Sequence, residues 1–291
     1  MQLLSFTQNN STRIGLLNNN NIVDLSIHAP SLPTEMTALL NAGPDALATA
    51  QAAQTNAADF GLNDVHLESP ILRPGKILAV GLNYRAHAEE SNMEIPKNPI
   101  IFTKQNTSIN GPFDPVHKPA ETKLLDYEGE LAVVIGKKCR RVPKDKAHQV
   151  IAGYCINNDV SVRDWQLRGK PPQFTMGKSW STHCPLGPTL VIDEDLDPHA
   201  LHLRTLVNGD VRQDTNTSDL IFNCFEIIEY LSTAFMLEPG DVIVTGTPSG
   251  VGMAMKPPCS LQTGDKVRVE IEGLGYIENE IIDEPADTAC Y

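Results

Sequence analysis

The chain has 291 residues, 41% hydrophobic and 20% charged, ample for one large domain with a sizeable core and ordinary for a globular protein. Its net charge of −13 argues against a nucleic-acid partner or an anionic membrane surface, because both call for a clustered basic face. No apolar run approaches the roughly 20 residues of a membrane helix, and the six scattered cysteines form no Cys-x-x-Cys pair of the kind that holds zinc.

Met1 to Asn10 lacks the basic start and long apolar core of a signal peptide, so the expected compartment is the cytoplasm. The mitochondrial matrix stays open for a processed precursor. Cys139, Cys155, Cys184, Cys224, Cys259 and Cys290 are then expected as reduced thiols.

Residues 1–70 read as a small N-terminal unit. Leu3 to Phe6, Arg13 to Leu17 and Ile22 to Leu25 are short strand candidates, followed by helical patches at Pro33 to Asn41 and Pro44 to about Ala58. Two prolines and a glycine between Glu68 and Gly75 mark the passage into a second unit, 71–291. There the pattern is strand-rich: Ile77 to Val80, Pro99 to Thr103, Glu128 to Ile135, Tyr154 to Val160, Gly187 to Ile192, His202 to Val207, Asp241 to Thr245 and Lys266 to Ile271. Turns, not regular helices, separate them, which predicts a mostly antiparallel or mixed sheet within an α+β fold. Asn208-Gly209 signals a two-residue hairpin. The one long helix is expected over 219–235, with Leu220, Ile221, Phe225, Ile228 and Leu231 as its core stripe.

The stretch Asp126-Tyr127-Glu128-Gly129-Glu130 runs straight into five apolar residues, so it reads as a buried strand with an acidic end. Side chains two apart on a strand share a face, which makes Glu128 and Glu130 converge. Either they are solvated at a strand end or a divalent cation neutralises them. A hard-oxygen ion such as Mg²⁺, Ca²⁺ or Mn²⁺ would want a further carboxylate, and Asp159, ending another apolar strand, is the candidate. Gly129 between them marks a bulge or a close approach.

In Asn83 to Glu90, a helix would set His87 and Glu90 three apart on one face, as in a general base oriented by a carboxylate, or as in an ordinary surface ion pair. Ser91 to Asn98 suits a lid. Lys178, flanked by Gly177 and Ser179, is either a solvated lysine or one that points into a pocket and stabilises an enolate or carboxylate. The loop Thr245 to Gly252 lacks the Gly-Lys-Ser/Thr ending of a P-loop, and its glycines suit backbone amides approaching a small anion.

Together Asn83-Tyr84 with His87, Pro99-Ile100-Ile101-Phe102, Asp126 to Ile135, Asp159 with Arg163 to Gln166, Gly177-Lys178-Ser179, Cys184 to Pro188 and Pro239 to Ile243 resemble the fumarylacetoacetate hydrolase superfamily. The resemblance runs from Lys76 onward and weakly through the N-terminal unit. It implies a mixed β-roll, a homodimer, Mg²⁺ or Mn²⁺ on Glu128, Glu130 and Asp159, a His87–Glu90 dyad, and substrate contacts from Lys178, Gln166 and Thr247. The implied chemistry is that of a small 2-oxo or 1,3-dicarbonyl acid passing through an enolate: oxaloacetate tautomerisation or decarboxylation first, acylpyruvate C–C hydrolysis second. A metal-stabilised binding protein without turnover is the reading from another class. Trp180, Ser181 and His183 depart from the superfamily pattern and put the shape of the pocket at those positions.

Overall fold

The structure of the protein is a computed structural model that describes residues 1–286 and 288. Cys139, Cys155, Cys184, Cys224 and Cys259 are free thiols, and Cys290 lies outside the described residues. A twelve-stranded mixed sheet forms the frame. Its order runs from Phe60–Gly61 through Asn21–Asp24, Ser11–Asn18, Gln2–Gln8, Cys184–Val191, Ile151–Asn158, Gly129–Ile135, Val242–Val244 and Ile77–Gly81 to Ile100–Lys104. Most neighbours are antiparallel, while Val242–Val244 and Ile77–Gly81 run parallel. Strands of the first 25 residues thus continue the same sheet through the pairing of Leu3 with Leu190. A five-stranded sheet, with the hairpin His202–Val207 and Asp210–Asn216 beside Lys266–Ile271 and Gly275–Asp283, packs against it. Asn208 and Gly209, at φ 54° and 87°, make that hairpin's tight turn. Gly275–Asp283, a strand the sequence reading passes over, alternates buried Ile277, Asn279 and Ile281 with outward residues.

Gly129–Ile135 is central and buried on both faces, which explains its unbroken apolar run. Leu131, Val133 and Ile135 enter the core between the two sheets, together with Leu203, Val269 and Ile277. Ala132 and Val134 face the other way, into a second core with Leu3, Leu16 and Leu39. By the same alternation Gly129 points at the smaller sheet, where a Cβ would stand 2.2 Å from Thr205 Oγ1 and 3.0 Å from Val269 Cγ1. The close approach here is sheet against sheet. Gly129→Ala is therefore expected to lower the melting temperature, with a cost of about 1–3 kcal/mol for overpacking; an unchanged melting temperature would show that the sheets separate freely at this point.

The long helix is shorter than expected, Cys224–Ala234. Asn223 accepts from the Phe225 and Glu226 amides while Glu226 accepts from the Asn223 amide, a capping box that sets the start. Ile227, Ile228 and Leu231 are fully buried in the inter-sheet core, each worth about 1.5–3 kcal/mol. Leu220 and Ile221 lie outside that stripe, because they bridge the main chain at Tyr84 and Asn83. The helix expected from Pro33 likewise begins only at Met36, where the Glu35 carboxylate accepts from the Thr37 and Ala38 amides.

Candidate active site

Glu128 stands immediately before Gly129–Ile135, and Glu130 is that strand's second residue. In the neighbouring strand Ile151–Asn158, Asn158 pairs with Gly129, and the Asp159 amide donates to the Glu128 carbonyl at 2.8 Å. Alternation on one strand and pairing across two therefore bring three carboxylates together. Glu128, Glu130 and Asp159 are all buried, and each offers an oxygen within 4.8 Å of the other two.

Three buried cations crowd the same place. Lys178 Nζ lies 2.6 Å from Glu128 Oε2 and 2.8 Å from Asp159 Oδ2. Lys104 Nζ pairs with Asp159 Oδ1 at 2.6 Å and donates to the Lys178 carbonyl. Arg163 Nη2 sits 2.7 Å from Glu128 Oε1 and 2.9 Å from Asp126 Oδ2. Burial alone would raise the Glu128 carboxyl, but Lys178 and Arg163 outweigh it and hold the group at about 2. Burial also opposes charge on Lys178, yet Asp159 and Glu128 keep its ammonium above its ordinary value.

Four carboxylates, Asp126 included, thus meet three cations. Glu130 is the one left over: it accepts from the Gly246 amide at 2.8 Å, and among the described residues none of the three cations bridges to it. Burial first, and then the charges of Asp159 and Glu128, push its carboxyl well above the usual range. A hard divalent cation fits this donor set, because it supplies the charge that Glu130 lacks and takes oxygen ligands.

The short helix Arg85–Glu90 carries the dyad. Its N-terminal end is pinned: Asn83 Nδ2 donates to the Phe222 and Thr245 carbonyls, and Ala86 N donates to Asp219 Oδ2. The i,i+3 spacing then places His87 Nδ1 3.3 Å from Glu90 Oε2. A cavity of about 220 Å³ opens beside it, lined among others by His87, Glu128, Arg163, Gln166, Lys178 and Thr247. Glu90 stands behind His87, and Asp159 behind Lys178. Gln166 Oε1 accepts from Arg163 Nη1 at 2.9 Å, which leaves the side-chain amide hydrogens for the cavity. Thr247 Oγ1 donates to the Gly129 carbonyl and accepts from Gln213. A larger groove of about 440 Å³ lies on the five-stranded sheet around Arg204, Arg268 and Glu270; its charges pair with one another, and it holds none of these groups.

The Gly-rich loop does meet anions, but they are the chain's own. Gly246 N donates to Glu130, Gly250 N to Glu90 Oε1 at 2.9 Å, and Gly252 N and Met253 N to Asp126. Gly246 and Gly250, at φ +101° and +100°, hold a backbone that side chains rarely adopt. The expected small-anion subsite is thereby replaced by a clamp on three carboxylates. Trp180 and His183 also fall elsewhere than expected. Trp180 packs edge-on against Trp165, and buried His183 sits with Nε2 2.7 Å from the His117 carbonyl, so neither lines the cavity. Lys104 and Arg163 are the pairing residues that sequence reasoning left without a role. The one available signal for Lys104 is a charge closing an apolar strand, Ile100–Lys104.

A family model described as fumarylacetoacetate (FAA) hydrolase C-terminal matches residues 76–282. The chain is 43% identical over 288 residues to the oxaloacetate tautomerase fahd2, mitochondrial, of Xenopus laevis, covering 97% of this chain and 90% of that protein. It is 44% identical over 266 residues to the oxaloacetate tautomerase Fahd2a, mitochondrial, of Rattus norvegicus, covering 90% and 84% respectively. Among solved structures, maleylpyruvate hydrolase from Sphingobium sp. SYK-6, in complex with manganese(II) and pyruvate, superposes with a TM-score of 0.83 at 30% identity over 98% of this chain and 100% of that one.

Proposed function

The chain belongs to the fumarylacetoacetate hydrolase family, and from that premise we propose a divalent-metal-dependent enzyme of small 2-oxo acids whose reaction is the enol–keto tautomerisation of oxaloacetate. The observation that carries this reading is a buried trio, Glu128, Glu130 and Asp159, beside a cavity with His87 on its wall. Mg²⁺ or Mn²⁺ is the proposed ion, with Ca²⁺ as the third candidate; the manganese in the maleylpyruvate hydrolase complex supports the choice. When bound, the cation supplies Lewis acidity toward the substrate's carbonyl oxygen and so acidifies the adjacent carbon.

The protein's own groups do the rest. Glu90, accepting from His87 Nδ1, fixes the imidazole so that Nε2 is the atom that exchanges a proton. In the keto-to-enol direction Nε2 takes the proton from C3 and water gives one to the enolate oxygen; in reverse the enol's hydroxyl proton returns to water and the imidazolium protonates C3. Lys178 and the Gln166 amide hold the acid's carboxylate in register, and Thr247 shapes the wall against the Gly129 carbonyl. C–C bond hydrolysis is the second reading, which the likeness to maleylpyruvate hydrolase supports; there the same imidazole would deprotonate water. Decarboxylation would use the imidazolium as proton donor. The relatives' printed names support a mitochondrial compartment, and the family resemblance a homodimer.

The test is turnover of oxaloacetate, acetylpyruvate and fumarylpyruvate with Mg²⁺, followed by chelator. Faster loss of the oxaloacetate enol that stops on chelation is the expected result. Cleavage of the acylpyruvates without tautomerisation would move the assignment to the hydrolase. Inertness toward all three with either Mg²⁺ or Mn²⁺ would overturn it.

A further inference from the structure

We infer that Asp126 is a positioning residue for the His87–Glu90 pair, acting from outside the cavity through the loop 250–253; the inference rests on the role proposed above for that pair. Asp126 is buried in a two-residue strand, Leu125–Asp126, and does not line the cavity. Each of its oxygens is saturated. Oδ1 accepts from the Tyr127 amide at 2.9 Å and the Gly252 amide at 2.8 Å, while Oδ2 accepts from the Met253 amide at 3.0 Å and Arg163 Nε at 2.9 Å.

Two successive amides of one loop on two oxygens of one carboxylate fix both the loop's position and its direction. Only glycine lets the loop come this close, because a Cβ on Gly252 would stand 2.7 Å from Asp126 Oδ1 and 2.1 Å from the Cys259 carbonyl. The neighbouring side chain adds a third tie, with Tyr127 Oη donating to the Gly250 carbonyl at 2.8 Å. Gly250 is the residue whose amide holds Glu90 Oε1. The chain of contacts therefore runs from Asp126 to the loop, from the loop to Glu90, and from Glu90 to the imidazole. On its other side Asp126 holds Arg163, which pairs with Glu128 and donates to Gln166. One carboxylate thus sets the spacing between the dyad's support and the floor of the cavity.

Asparagine has the same shape but keeps a single acceptor oxygen and turns an N–H toward Met253 N or Arg163 Nε, donor against donor. Asp126→Asn is measured beside Glu90→Gln and the double variant, on whichever of the three 2-oxo acids the wild type turns over. Amide hydrogen exchange is read in parallel. The expected result is a kcat about 10- to 100-fold lower, as for other groups that orient a reacting residue from behind, with KM little changed. Exchange should quicken at Gly250, Gly252 and Met253 while the sheets stay protected, and the double variant should be no slower than Glu90→Gln alone. Asp126→Glu, which keeps charge and both acceptors, should recover part of the rate. Additive losses, or a Gly250 amide as protected as in wild type, would overturn the inference. If Glu90→Gln leaves kcat unchanged, the dyad reading has failed, and exchange at Gly250 still decides whether Asp126 holds the loop. Should Asp126→Asn not fold, Asp126→Glu carries both readouts, and wild-type values in each would sink the proposal.

Discussion

Glu130→Gln is expected to abolish metal-dependent turnover and yet leave the metal-free protein at least as stable as wild type. The reason is the charge count: Asp126, Glu128 and Asp159 are matched by Arg163, Lys178 and Lys104, and Glu130 is the unmatched member. Glutamine keeps an oxygen for the Gly246 amide and removes the charge. Because the folded protein raises the Glu130 carboxyl, the proton it holds stabilises the native state below the unfolded value, and that contribution is lost as pH rises through the higher folded value. Metal-free wild type should therefore weaken over that window while the glutamine variant stays flat. A cation present at about 100 times its Kd and bound only to the folded state adds about 2.7 kcal/mol. Thermal unfolding with and without Mn²⁺ should show this increment in wild type and none in the variant. A variant that still gains stability from Mn²⁺ would mean that Glu130 is not a ligand.

His87→Ala should separate chemistry from metal binding. The imidazole lines the cavity, is held at Nδ1 by Glu90, and makes no bond to the three carboxylates. Removing a positioned acid–base group of this kind costs about 10²- to 10⁴-fold in rate. Turnover should fall into that range while Mn²⁺ affinity, measured by titration calorimetry, stays within a factor of about two, well under the tenfold step that 1.4 kcal/mol represents. Loss of Mn²⁺ binding in this variant would assign His87 to the metal, and unchanged turnover would remove it from the reaction.

The parts of the site that could be read in advance are those governed by short-range periodicity. Glu128 and Glu130 share a face because strands repeat every two residues, and His87 meets Glu90 because a helix brings i and i+3 together. What escaped were partners set by the return of distant chain. Lys104 and Asp159 are 55 positions apart, and Gly250 finds Glu90 across 160. No local pattern marks such pairs, so the loop at 245–252 reads as a set of amides suited to a small anion, without revealing that the chain's own carboxylates fill it. The long helix was misplaced for a similar reason: Leu220 and Ile221 fit its apolar spacing but are engaged by the main chain at Tyr84 and Asn83, and Asn223 caps what remains. The sheet itself is more legible, since two of its central strands carry β-branched runs, Val133-Val134-Ile135 and Val242-Ile243-Val244.

The alternation along Gly129–Ile135 ties the convergence of Glu128 and Glu130 to reading frame. Deleting Gly129 would make Glu128 and Glu130 adjacent, so that they point to opposite sides of the strand and one carboxylate is sent toward Thr205 and Val269. The proposed metal site can therefore be gained or lost by substitution along that strand, but not adjusted by changing its length.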